Sequence, residues 1–240
     1  MKGYQNHTPW YILIIKHGVF FQMKEVIMQR AFQILAVLTI ITVSLMACSS
    51  QGATAKDAKF YTDQGVDLYR KGQYDQAIAN FNQVIQIDPK YAMAYNNRGL
   101  AYYQSKSFDK ALADFNKAIE LNSKIDTAYN YRGLIYSQKK DYNKAIDDYN
   151  NAIKINPKYG VASNNRGVAN YRNGAYDEAI ADYNMAISLN PNLAVVYNNR
   201  ALVYLEKKDY NKAGEDVRQA QSLKYPVDQE TLRRVSGSKR

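Results

Sequence analysis

An all-α solenoid of stacked helix-turn-helix units is predicted by three features of the sequence. Glycines stand 34 residues apart, at Gly65, Gly99, Gly133 and Gly167, and Ala201 holds the next place in the series. Small residues recur at fixed offsets after each, at Ala77, Ala111, Ala145, Ala179 and Ala213, then at Val84, Ala118, Ala152, Ala186 and Ala220. Large rings fill constant places between them. A unit of this length is a pair of helices that cannot bury its apolar face alone and must stack on a neighbour. The period therefore decides the fold class, and it turns the functional question from catalysis to what the stacked surface binds.

Each element of the unit follows from its residues. The first helix carries Tyr61, Tyr95, Tyr129 and Tyr197 early and the glycine in its middle. A helix-interior glycine costs about 1 kcal/mol against alanine, so its recurrence on one face predicts close packing. The second helix starts at Tyr74, Phe108, Tyr142, Tyr176 and Tyr210 and holds Phe81, Phe115, Tyr149 and Tyr183 within it; all these rings are expected in the core. Asp88-Pro89, Asn156-Pro157 and Asn190-Pro191 end the unit, because proline stops the second helix and sets the turn. The second unit has Ser123 at that place, so its turn is expected to be less firmly specified.

On these residues the chain resembles the tetratricopeptide-repeat (TPR) family, with five repeats at 58–91, 92–125, 126–159, 160–193 and 194–227. The resemblance implies a right-handed superhelical solenoid whose first helices line a concave groove. Such repeats scaffold many unrelated partnerships, so the resemblance specifies fold and not partner. The fifth repeat departs from the pattern, with Gly214 in its second helix, Val217 at the aromatic place and Pro226 one position late, as expected of an end cap. Residues 228–240 then read either as a short helix capped by Asp228, with Leu232 and Val235 covering the last repeat, or as a frayed basic tail.

Before the array the chain changes character. Ala31 to Met46 is an apolar run of 16 residues, preceded by Lys24 and Arg30 and ending in Leu45-Met46-Ala47-Cys48. It reads as a secretion signal over 23–47, short of the roughly 20 residues a spanning helix needs. Leu-x-Ala-Cys resembles the lipobox of bacterial lipoproteins, which implies diacylglycerol on the sulfur of Cys48, the only cysteine, and an acylated new amino terminus. Several acyl chains meet the two-anchor requirement for stable membrane attachment. Residues 1–22 read as an over-extended start, with translation expected at Met23 or Met28; the alternative, an apolar hairpin from Trp10 to Phe21, is too short for a membrane pass. Small polar residues over 48–57 form a tether that reaches at most ~30 Å. Ser49 is not the retaining aspartate of the lipoprotein-sorting rule, so the resemblance implies a bacterial cell envelope location, on the outer membrane facing the periplasm.

Composition closes off much chemistry. The net charge is +10, but the first 47 residues hold four basic and one acidic residue, leaving +7 from Cys48 onward. Residues 224–240 hold five basic and two acidic residues, so the array itself is only +4. Interspersed charges with core-placed aromatics argue against a nucleic-acid partner, which wants a basic stripe with exposed stacking rings. Both histidines, His7 and His17, lie in the leader. A chain processed and acylated at Cys48 would carry neither a histidine nor a free thiol, so no His-based triad, thiol nucleophile or His/Cys metal site is expected, and no cofactor. Neither is a glycine-rich phosphate loop present.

Two charged and polar sets are organised. Arg98, Arg132, Arg166 and Arg200 precede the small residue of the first helix, and Asp114, Asp148, Asp182 and Asp216 precede the aromatic place of the second; in repeat one both change together, to Gln64 and Asn80. The matched change predicts an Arg-carboxylate clasp within each repeat, structural in purpose. The first helix also carries a second stripe, which in repeat two runs Met93, Asn96, Asn97, Leu100, Tyr103, spaced as one helical surface. Its rows are Asn96, Asn130, Asn164 and Asn198; Asn97, Asn165 and Asn199 interrupted by Tyr131; Leu100, Leu134, Val168 and Leu202; and Tyr69, Tyr103 and Tyr171. Asparagine offers a donor and an acceptor together, which suits the backbone of an extended peptide, and the rows resemble the asparagine ladders of other repeat proteins. Thr62 and Val66 replace the lysine and asparagine by which some relatives clamp a terminal carboxylate.

The function expected is a membrane-tethered adaptor without enzymatic activity, holding other proteins or peptides in an Asn- and Tyr-lined groove, in pilus assembly or in recruiting envelope proteases or cell-wall enzymes. The alternative is a structural scaffold that associates with itself, as a homodimer, and leaves the groove empty.

Overall fold

The computed structural model describes residues 28, 33–35 and 56–237. The chain divides into two units, Met1–Lys56 and Asp57–Arg240. In the first, residues 28 and 33–35 are helical and exposed. The rest of the expected leader, Cys48 and the start of the tether lie outside the described residues. No described helix is long and apolar enough to cross a membrane.

The described part of the second unit is helical throughout, with no strand. α1 occupies 57–70. There follow α2 (Tyr74–Ile87), α3 (Ala92–Gln104), α4 (Phe108–Leu121), α5 (Asp126–Gln138), α6 (Tyr142–Ile155), α7 (Gly160–Arg172), α8 (Tyr176–Leu189), α9 (Ala194–Glu206), α10 (Tyr210–Ser222) and α11 (Gln229–Gly237). α3, α5, α7 and α9 each pack against the helix that follows and the helix that precedes. First helices also touch one another across repeats, α3 with α5, α5 with α7 and α7 with α9, whereas the second helices do not meet. That asymmetry winds the stack with first helices inside and second helices outside.

Small-to-large complementarity holds each pair together. A Cβ added at Gly65, Gly99, Gly133 or Gly167 would fall 2.7–2.8 Å from Cε1 of Phe81, Phe115, Tyr149 or Tyr183. The ring sixteen residues on thus occupies the space that any side chain on the glycine would need. In repeat five both members change: Ala201 faces the second helix that carries Val217, which is smaller than a ring. The alanines at 77, 111, 145, 179 and 213 are fully buried, as are Val84, Ala118, Ala152, Ala186 and Ala220.

The rings opening the second helices were expected in the core and are not. Tyr74, Phe108, Tyr142 and Tyr176 are half-buried, and Tyr210 is 40% exposed. Tyr74, Phe108 and Tyr176 lean on the tyrosine that ends the first helix, with centroids 5.7 Å apart for Tyr69–Tyr74, 5.5 Å for Tyr103–Phe108 and 5.9 Å for Tyr171–Tyr176, whereas before Tyr142 that place belongs to Ser137. Before Tyr210 that supporting place belongs to Leu205, which is itself buried.

The turn between repeats does not depend on proline. Asp88, Asn122, Asn156 and Asn190 each accept, through the side chain, the backbone N–H two residues on, at 2.9, 2.9, 3.2 and 3.1 Å. Asn122 therefore forms in front of Ser123 the same Asx turn that the others form in front of proline, and the expected weakness of that turn is not seen. The turn inside each repeat needs a left-handed residue, supplied by Gly72 and Gly174 (φ 76° and 81°) but by Lys106, Lys140 and Lys208 (φ 60°, 61° and 58°) elsewhere. Asp141 N–H reaches back to the Tyr136 carbonyl at 2.9 Å, closing the helix end around this residue. Lysine in this conformation carries a steric cost of ~1–2 kcal/mol that glycine avoids, offset in part by the greater unfolded-state freedom of glycine. Lys140→Gly is accordingly expected to raise unfolding free energy by about 0.5 kcal/mol, read as a higher denaturant midpoint at constant slope.

After Pro226 the chain forms α11. Asp228 accepts from the Thr231 N–H at 2.9 Å and from its hydroxyl at 2.7 Å, Thr231 is buried, and Arg234 pairs with Glu206 at 3.1 Å. A Cβ on Gly214 would lie 3.3 Å from Val235 Cγ1. The glycine that departs from the repeat pattern lets the terminal helix sit close.

Candidate functional site

The arginines ahead of each small residue are fastened at both sides. Arg132 donates from Nε and Nη2 to the two carboxylate oxygens of Asp148, at 2.8 and 2.6 Å, and from Nη1 to Asn116 Oδ1 of the preceding repeat at 2.8 Å. Arg98 bonds Asp114 and Asn82, Arg166 bonds Asp182 and Asn150, and Arg200 bonds Asp216 and Asn184 in the same way. The aspartates are buried and the arginine side chains 18–23% exposed. Burial pushes the Asp114 and Asp148 carboxyls up, and the paired guanidinium pulls them back. The bond to the preceding repeat was not anticipated; its signal is the row Asn82, Asn116, Asn150, Asn184 at constant spacing.

The asparagine rows differ in cover: three of the first row are buried, while Asn164 of that row is half-buried, as are Asn97, Asn165 and Asn199 of the second. Asn96, Asn130 and Asn198 are 2%, 1% and 8% exposed, too enclosed to face a ligand as expected. Asn130 Oδ1 accepts from Asn165 Nδ2 at 3.0 Å, and Asn164 Oδ1 from Asn199 Nδ2 at 3.1 Å. Where Tyr131 stands in the donor's place, Asn96 Oδ1 accepts instead from Thr127 Oγ1 at 3.2 Å. Asn198 Oδ1 is buried with no hydrogen-bond partner among the described residues; in the earlier repeats the donor comes from the next first helix, and none follows α9.

Asn165 and Asn199 thus join repeats as well as face the groove. Removing the Asn165 donor strands the Asn130 acceptor inside the stack, which costs about 1–3 kcal/mol. Asn165→Ala is expected to lower unfolding free energy by about that amount, whereas Asn97→Ala should change it by less than ~0.5 kcal/mol, both measured by denaturant melts. Asn97 differs because its would-be acceptor is Thr62, whose hydroxyl donates to the Ala58 carbonyl. Asn97 Oδ1 accepts from Asn96 Nδ2 at 3.3 Å, and its own amide nitrogen has no partner among the described residues.

The tyrosines shape the inner face. Tyr69 and Tyr103 accept at their hydroxyls from Gln104 and Gln138 of the next repeat, at 3.3 and 3.1 Å. Tyr131 lies edge-on to Tyr103, centroids 5.1 Å apart, and over Phe115 at 6.1 Å. Tyr171 carries the Arg172 guanidinium 5.7 Å from its centroid. Burial pushes the hydroxyls of Tyr103, Tyr131 and Tyr171 up, so they stay neutral at physiological pH. Beside these runs a row the sequence reading had only in part: Met93, Val161 and Val195 are 39%, 48% and 38% exposed, with Thr127 half-buried between them. The inner face thus presents apolar side chains, amides and phenols repeating at the pitch of the stack, with charged side chains gathered beside Tyr171. No group of His, Cys, Asp and Glu fit to hold a metal occurs among the described residues.

Comparison with known proteins agrees with this geometry. Tetratricopeptide-repeat family models match residues 92–125, 127–159 and 161–193, with related TPR models over 65–106 and 183–215. No curated protein matches the chain in sequence. Among solved structures, that of MamA is 25% identical, with a TM-score of 0.63 over 70% of this chain and 92% of that one. PilF of Pseudomonas aeruginosa is 17% identical, with a TM-score of 0.68 over 76% of this chain and 82% of its own. YrrB, described as a TPR protein with an unusual peptide-binding site, is 20% identical, with a TM-score of 0.60 over 75% and 90%. At these identities PilF and YrrB speak to the fold alone. A 34-residue period, glycine-to-ring packing, first helices wound inside second helices and these matches lead to one conclusion: the chain belongs to the tetratricopeptide-repeat family.

Proposed function

We propose that this protein is a non-enzymatic adaptor that holds extended polypeptide segments along the inner face of its repeats and is tethered to a bacterial envelope membrane through Cys48. The observation that carries the reading is the exposed row Met93, Val161, Val195 alongside half-buried amides and tyrosines on that face. An extended strand meets such a surface with apolar side chains against the row and backbone groups against the amides. TPR proteins are in general protein-interaction scaffolds, which agrees with the adaptor role. The lipobox-like Leu45-Met46-Ala47-Cys48 and the following Ser49 support attachment at the outer membrane, facing the periplasm.

Site-specific photocrosslinking in cells tests the groove. A photoreactive residue at Val161, on the inner face, should give polypeptide adducts that the same residue at the outer Lys154 does not. Equal adducts from both sites would refute a groove ligand, and adducts of the chain with itself alone would favour the self-associating scaffold. For the tether, Cys48→Ala should abolish metabolic labelling with a fatty acid; an unmodified Cys48 thiol in the purified native protein would overturn it.

A further inference from the structure

An open cleft of about 210 Å³ lies at the junction of the first two repeats, lined by Val66, Tyr69 and Arg70 of α1, Phe81 of α2, and Asn97 and Leu100 of α3. Its walls are apolar apart from its mouth. The protein shows what fits there. One repeat along, the position of Asn97 is taken by Tyr131, whose ring packs over Phe115, the counterpart of Phe81, and against Tyr103, the counterpart of Tyr69. The chain thus fills the second copy of this cleft with its own aromatic side chain and leaves the first copy open.

The mouth is chemically one-sided. Among the described residues the Asn97 amide nitrogen has no acceptor and Arg70 makes no ion pair. The neighbouring carboxylate on α1, Asp67, is held instead by Lys71 at 2.6 Å. Two free donors, one of them a permanent cation, call for an acceptor with negative charge. Beyond this mouth the inner face continues through α3 and α5 in apolar groups, amides and phenols.

We propose that this cleft is an anchor pocket for an aromatic side chain of a bound extended segment, and that an acidic side chain next to it in that segment engages Arg70 and Asn97. The assignment rests on the groove reading above and deepens it. It places one end of the bound segment at repeat one and predicts a preference there for an aromatic-acidic pair.

Fluorescence anisotropy on the full chain in detergent micelles tests it with dye-labelled, C-terminally amidated octapeptides in a Gly-Ser background. The probes carry a central Phe-Glu, Phe-Gln or Ala-Glu pair, and a fourth ends in Phe with a free carboxylate. The Phe-Glu probe should bind about tenfold tighter than Ala-Glu, the effect of burying a ring, and about threefold tighter than Phe-Gln, the effect of one exposed ion pair. Asn97→Tyr, which copies the filled cleft of the next repeat, should melt like wild type and lose about tenfold in Phe-Glu affinity. Val66→Phe narrows the cleft from the opposite wall and should do the same, and Arg70→Gln should bring Phe-Glu down to the Phe-Gln level. Undiminished binding by both cleft-filling variants, or equal affinity for Phe-Glu and Ala-Glu, would overturn the pocket. Tightest binding by the free-carboxylate probe, lost in Arg70→Gln, would overturn the acidic side chain as the source of charge. If Val161 crosslinks to polypeptide while the probes show none of these differences, the pocket is wrong and the groove stands; if neither is seen, both readings fall.

Discussion

Gly133→Ala should destabilise the protein by about 1–3 kcal/mol, although alanine is the better helix former by about 1 kcal/mol. The new Cβ would sit 2.8 Å from Cε1 of Tyr149, a ring that is 1% exposed and has no room to retreat. Tyr149→Val alone leaves a void and should cost about 3 kcal/mol or more. The pair of changes together copies the combination Ala201 and Val217 that repeat five already uses, so the double variant should be more stable than the sum of the two losses implies, with a coupling of about 1 kcal/mol or more. Equilibrium unfolding of the four proteins closes the cycle. Additive losses would show that glycine serves some other purpose than room for the ring.

Asp148→Ala should cost about 3 kcal/mol, the range for breaking a largely buried ion pair from one side. The Arg132 guanidinium would keep only Asn116 as a hydrogen-bond partner, beside the Tyr129 ring 5.4 Å away, in a seat that is 19% exposed. Arg132→Gln should also be severe, because it leaves the Asp148 carboxylate buried without its counter-ion. Combined as Arg132→Gln with Asp148→Asn, the pair becomes that of repeat one, Gln64 and Asn80, and should recover about 1.5 kcal/mol or more through coupling. A cycle with no coupling would refute the clasp as a unit. The single Arg132→Gln variant also has a pH signature. Burial already pushes the Asp148 carboxyl up, and without the arginine it rises further. A carboxyl raised in the folded state gives stability at pH below its unfolded value and loses it as pH rises through the folded value, so the penalty should shrink in acid and grow toward neutrality.

Much of this molecule is legible before any coordinates, because a tandem repeat prints its contacts several times. The glycine and the ring sixteen residues on vary together, as do Arg and Asp, and a matched change in one copy exposes a pair. The same logic reaches contacts that were overlooked: Lys139 pairs with Asp109 and Lys207 with Asp177, while the repeat between places Asn173 against Asn143. These rows lie about 30 residues apart in the chain, a separation at which no helical stripe points to them.

What the sequence by itself determined was the fold class, the helices and the residues on each face, because a helix assigns its side chains by a local period and the repeat restates that period five times. What only the tertiary structure decided was how far the next helix reaches over each face. Asn96 and Asn97 are neighbours in the chain, about 100° apart on the helix; the following first helix covers the former and leaves the latter half-open. The same overlap enlists Asn165 and Asn199 as struts, fills one cleft with Tyr131 and leaves its predecessor empty, and seats α11 on Gly214. Coverage depends on the rotation and rise between repeats, which sum over many contacts at once, and no single row of residues carries that quantity.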